Sequence, residues 1–149
     1  MSTMTTIRDL APEDAAEHIF TAHRHERAWL DLFTESLDRR RAAESFARTI
    51  EVWDMKQAEA ARLFGVSRQA IGKWLRRGVP AERAGAAADL AAATDLLVHY
   101  LKRDRIPAVV RRPIPSLGGV SLMDLLARGD TQSVLAACRD MFRFERAHA

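Results

Sequence analysis

Between Glu59 and Glu82 the chain carries no acidic residue but five basic ones, Arg62, Arg68, Lys73, Arg76 and Arg77. A short basic block of this kind fits a local anionic partner better than general polycation behaviour, although a solvated helix face is the plainer alternative. The whole-chain sum hides it. Over 149 residues, 23 Lys and Arg stand against 20 acids for a net charge of +3. Residues 1–50 hold seven basic and nine acidic side chains, and residues 51–80 hold six and three.

Other groups with chemical potential are poorly placed for it. His18, His23 and His25 lie close in sequence. On one helix, however, positions 23 and 25 point roughly 200° apart, so the pair does not share a metal ion. Cys138 is the lone cysteine, which excludes an internal disulfide and a cysteine-built zinc site. It falls at i+4 from Val134 and i−3 from Met141, a core position. Ser116, Ser121 and His99 form no nucleophile motif, and Gly118-Gly119 lacks the lysine and helix context of a phosphate loop. The expectation is a protein that acts by binding, without enzymatic activity, metal or cofactor.

The elements that position the basic block are helical. Alanine is abundant, and no stretch alternates apolar and polar residues convincingly. At 48% hydrophobic and 29% charged, the chain can bury a core. It has neither an apolar run long enough for a membrane helix nor a signal-peptide pattern, so a cytoplasmic protein without a membrane segment is expected. Pro12 with Glu13 and Asp14 reads as a helix start. Ile19, Ala22, Trp29, Leu30, Phe33 and Leu37 then form a loose apolar stripe, interrupted by Glu26. This stripe is suited either to core packing or to a dimer interface. Phe46, Ile50 and Trp53 make a second face.

Lys56 to Gly78 reads KQAEAARLFGVSRQAIGKWLRRG. Ala61 is small enough for a helix crossing, Gly65 tolerates a turn with positive φ, and Ile71 sits on the inner face of a second helix, with Val66 and Leu75. Ser67 is placed to cap that helix, Trp74 to pack inward, and Gly78-Val79-Pro80 to end it with a left-handed stop. Downstream, an alanine-rich helix over 81–103 precedes a short one, with Ile106, Val109 and Val110, that ends before Arg111-Arg112-Pro113, and then a Pro/Gly loop. A capping box at Ser121 and Asp124 starts the next helix. Gly129 stops that helix, and Asp130 or Thr131 caps the last one.

The 56–78 segment resembles the Xre-type helix-turn-helix of Cro and phage repressors. On that resemblance, Arg68, Gln69, Ala70 and Lys73 face base edges in the major groove, and Gln57 and Ser67 touch phosphate. Arg76 and Arg77 extend the electrostatic footprint. Gly72 departs from the family pattern, which favours a polar side chain there. The implied partner is a double-stranded DNA operator bound by a homodimer, because one such unit buries too little for tight specific binding.

Residues 107–142 read PAVVRRPIPSLGGVSLMDLLARGDTQSVLAACRDMF. The leucine-glycine-glycine loop, the short Ser-Leu-Met-Asp-Leu-Leu helix and the Gly-Asp step are similar to the C-terminal domain of Xre/MbcA/ParS antitoxins. That resemblance covers roughly residues 56–142. It implies an autorepressing antitoxin that neutralises a RES-domain toxin, a consumer of NAD, with an extreme C-terminus placed in the toxin's cleft: Phe142, Arg143, Phe144, Glu145 and Arg146. The domains expected are an N-terminal helical arm (1–41), a helix-turn-helix (42–80) and a toxin-binding domain (81–149), all-α throughout. The alternative is a stand-alone or prophage-type transcriptional regulator without a toxin partner.

Overall fold

The computed structural model describes residues 6–143. Among these residues the fold is all-α. Eight α-helices are joined by short 3-10 turns, and the sole β feature is an isolated bridge between Ile114 and Val120. In order, the helices are α1 (Pro12–His23), α2 (Arg27–Val52), α3 (Gln57–Phe64), α4 (Arg68–Arg77), α5 (Ala84–Tyr100), α6 (Ile106–Arg111), α7 (Leu122–Ala127) and α8 (Thr131–Met141). No helix of the described residues is long and apolar enough to cross a membrane.

The chain divides into two compact units, Met1–Asp38 and Arg39–Ala149. The first contains α1 and the start of α2. The apolar stripe read from the sequence is not one helix: it breaks at residues 24–26, where Glu26 had interrupted it. None of its side chains is buried. Ile19, Leu30 and Phe33 are half-buried, whereas Phe20, Trp29, Leu32 and Leu37 are exposed. Trp29 stacks between His23 (centroids 3.5 Å apart) and Phe33 (5.2 Å), so its faces are covered locally by neighbours on the same arm.

In the second unit every helix contributes to one hydrophobic core running from Phe46 to Phe142. The 80/81 position, read as a domain boundary, lies inside this unit, and the core is shared by residues on both of its sides. From α2, Phe46, Ile50 and Val52 point inward, as does Trp53 just past its end; α5 then packs along α8, and α7 bridges α3, α6 and α8. One polar network is sealed within the core. Trp53 Nε1 donates to Thr94 Oγ1 at 3.0 Å, and Thr94 donates in turn to the Leu90 carbonyl at 2.7 Å. Thr49, 3.3 Å from Thr94, bonds the Ser45 carbonyl at 3.2 Å. A buried indole N–H needs such an acceptor, because an orphaned donor costs more than a made bond gains.

Helix ends follow local chemistry. Ser121 accepts from Asp124 N–H while the Asp124 carboxylate accepts from Ser121 N–H, a capping box with Asp in the usual Glu position. The Ser121 N–H bond, with the Ser121 hydroxyl beside it, holds the Asp124 carboxyl below its ordinary pKa. Asp130, the observed cap of α8, accepts from Ser133 Oγ and N–H and is lowered for the same reason. Cys138 is fully buried, and burial pushes its thiol up to about 12, which leaves it an inert core residue.

Candidate nucleic-acid interface

The α3–turn–α4 unit is built by three local devices. Ala60 and Ala61 are buried and small, which lets the two helices approach closely. At the turn, Gly65 adopts φ 64°, ψ 36°. Its N–H reaches the Arg62 carbonyl at 3.3 Å and the Val66 N–H reaches Ala61 at 2.9 Å, the paired bonds of a Schellman stop. Ser67 then caps α4, its Oγ accepting from the Ala70 N–H at 3.1 Å. Ile71 and Trp74 are buried on the inner face. Phe46, Phe64 and Trp74 meet edge-to-face with centroids 5.6–5.9 Å apart, fixing the roll of α4 against α2 and α3.

With the inner face fixed, the outer one is determined. Arg68, Gln69, Lys73, Arg76 and Arg77 are exposed; Ala70 and Gly72 are half-buried. Gln57, at the first turn of α3, is exposed and joins Arg68, Gln69, Gly72 and Arg76 around one open concavity of about 430 Å³. The structure thus brings four of the eight residues read as DNA contacts to a common surface. Ser67 stands at the head of α4 as its cap, with Ala70 supplying the N–H that it accepts. Lys73 and Arg77 lie on α4 outside the concavity. Arg68, Lys73, Arg76 and Arg77 form no ion pair among the described residues, whereas Arg48, Arg103 and Arg111 pair with Asp95, Glu51 and Glu59. Unneutralised cations on an exposed helix face are what phosphate contact requires, since released counterions supply the binding free energy. A Cβ at Gly72 would meet only the Arg76 Nη1 atom at 3.5 Å, ordinary contact, so no close packing demands glycine there.

Gly78 ends α4 differently from the expectation. Its φ of 88° is positive as predicted, but ψ is 165°, so the residue is extended rather than left-handed helical. The reason is tertiary. A Cβ here would lie 2.9 Å from the Arg39 carbonyl oxygen and 3.2 Å from Ala42 Cβ, because the end of α4 runs tightly against α2.

Two arginines outside the basic block hold this unit in place and were not singled out in the sequence. Arg111 of α6 donates to the carbonyls of Trp53 (2.7 Å), Asp54 (2.9 Å) and Pro107 (2.9 Å) and pairs with Glu59. It thereby clamps the turn before α3, where Asp54 has φ 54°. Arg83 donates to the Phe64 carbonyl at 2.9 Å and covers the Trp74 ring at 5.1 Å. The Trp53, Asp54 and Phe64 carbonyls that these arginines reach are distant in sequence, which no local pattern announces.

Of the residues read as the toxin-contacting tail, Phe142 is buried and stacked on Tyr100 at 4.6 Å, which makes it an anchor of α8 in the core. The spacing Leu135, Cys138, Phe142 continues the apolar face of α8 and carries that signal. Arg143 is exposed; Phe144, Glu145 and Arg146 lie outside the described residues. Among the described residues no group of three His, Cys, Asp or Glu side chains is placed to hold a metal ion.

No family model matches the chain, and no curated protein matches it. A solved structure does. One chain of the crystal structure of the M. tuberculosis MbcT–MbcA toxin–antitoxin complex is 25% identical, with a TM-score of 0.54. The alignment spans 66% of this chain and 91% of that one, so nearly the whole neighbour is reproduced here.

Proposed function

We propose that this protein is an antitoxin that recognises a double-stranded DNA operator as a homodimer, represses its own operon and neutralises a RES-type, NAD-consuming toxin through its C-terminal half. The observation that carries the reading is the capped, outward-facing α4 with its unpaired basic side chains, set in a unit that resembles a chain of a toxin–antitoxin complex. Arg68 and Lys73 are assigned to guanine edges and Gln69 to adenine; Gln57, Ser67, Arg76 and Arg77 are assigned to phosphate, and Ala70 to close contact with the groove. The toxin surface is assigned to Arg143, Phe144 and Arg146, which follow the buried Phe142 in the sequence. The protein acts in the cytoplasm by binding alone.

A gel-shift titration on the DNA upstream of the gene tests the first half. Arg68→Ala is expected to cost roughly 1–3 kcal/mol of sequence-specific affinity, and Arg77→Ala to weaken all sequences alike and to lower the salt slope by about 1. Full operator binding by both variants would remove α4 from the interface. The alternative, a regulator without a toxin, draws on the burial of Phe142, which takes one of the residues assigned to toxin contact into the core.

A further inference from the structure

Behind α4 the aromatic trio of Phe46, Phe64 and Trp74 forms one wall of a cavity of about 100 Å³, closed on the other side by Ala87 and Leu90 of α5. An engineered apolar cavity of about 150 Å³ takes up benzene, so this smaller volume takes at most a single six-membered ring. Its polar lining is nearly all satisfied within the protein. Thr49 bonds the Ser45 carbonyl, and Thr131 donates to Asp89 at 2.9 Å. Arg83 is the exception. The half-buried guanidinium lies over Trp74 and uses one donor on the Phe64 carbonyl, yet it has no carboxylate partner among the described residues. A guanidinium presents five N–H donors in a planar fork suited to a carboxylate. Apolar aromatic walls with one convergent cationic group are the make-up of a small-molecule site.

We propose that this cavity binds a small planar aromatic carboxylate, with the ring against Trp74 and Phe46 and the carboxylate on Arg83. The charge on the ligand supplies the missing counter-ion, and the aromatic wall offers ring faces and edges for a planar ring to pack on. The site lies wholly within the Arg39–Ala149 unit and is separate from the concavity at Gln57, Arg68 and Gln69.

Benzoate, benzamide and acetate, titrated separately into the full chain, test this by NMR. The indole N–H resonance of Trp74 is the readout, and those of Trp29 and Trp53 serve as internal references. Benzoate is expected to shift Trp74 saturably, with benzamide roughly tenfold to a hundredfold weaker because it lacks the charge that strengthens a hydrogen bond. Acetate, which fills none of the ring volume, is expected to leave Trp74 unmoved. Arg83→Met is expected to erase the preference for benzoate over benzamide, and Ala87→Phe, which fills the space, to abolish both responses. Arg83→Lys keeps the charge and guards against a folding defect in Arg83→Met; it is expected to retain the preference in weaker form. An unmoved Trp74 at saturating benzoate, equal responses to benzoate and acetate, or an undiminished benzoate preference in Arg83→Met would each overturn the proposal.

Discussion

Gly65 and Gly78 flank the proposed recognition helix with similar φ values, 64° and 88°, yet the structure assigns them very different tolerance. At Gly65 a Cβ meets nothing within 4 Å, so Gly65→Ala suffers only the left-handed backbone penalty of about 1–2 kcal/mol. Reduced freedom of the unfolded chain returns about 0.4–1 kcal/mol, leaving a net loss of about 0–1.6 kcal/mol. Gly65→Asn should be milder still, because asparagine visits this region readily. Gly78, with ψ at 165°, occupies a region that is essentially restricted to glycine, where a side chain costs about 1–3 kcal/mol. Its Cβ also presses on a backbone oxygen at 2.9 Å, which cannot rotate away as a side chain can. Moving α4 off α2 to relieve that contact adds about 1–3 kcal/mol, the usual range for overpacking. After the same unfolded-chain return, Gly78→Ala is therefore expected to lose about 1–5.6 kcal/mol, at its upper end a large part of the 5–15 kcal/mol that a domain typically has. Urea melts of both variants at matched m-values measure the difference. Equal losses, or a Gly78→Ala loss under about 1 kcal/mol, would refute the claim that close approach of α2, rather than the sign of φ, fixes this glycine.

Two further outcomes follow from the core and the caps. Thr94→Val keeps the shape but strands the Trp53 indole N–H, so it should lose about 1–3 kcal/mol in the same melts, whereas Thr94→Ser keeps the acceptor and should lose only about the 0.8 kcal/mol of a buried methyl group. Asp124 and Asp130 have folded pKa values below their ordinary 3.8, so the stability they add is complete above that pH and is lost as pH falls through the lower folded values. Circular dichroism should show helix lost in that acid window, and Asp124→Asn with Asp130→Asn should flatten that part of the curve; an unchanged acid limb would contradict the cap assignment.

What was legible in the sequence was local. Ser67, Ser121 and Asp130 announce helix starts because their side chains bond backbone three residues on, and Gly65 announces a stop because its Schellman bonds close within six residues. The periodicity of α4 likewise separates Ile71 and Trp74 from the outward basic residues. What was not legible depends on partners far along the chain. Gly78 is set by α2, Trp53 finds its acceptor 41 residues away, and Arg111 reaches 58 residues back to the Trp53 carbonyl. Phe142 was read as a toxin contact because the resemblance placed it there, although the spacing of α8 already carried it into the core beside Tyr100.

The most direct test of the account is co-expression of this chain with the product of the neighbouring gene, scored by growth, cellular NAD and co-purification. The account predicts that the neighbour alone depletes NAD and arrests growth, and that this chain relieves both and elutes with it. A neighbour that is harmless alone and does not co-purify would contradict the antitoxin reading.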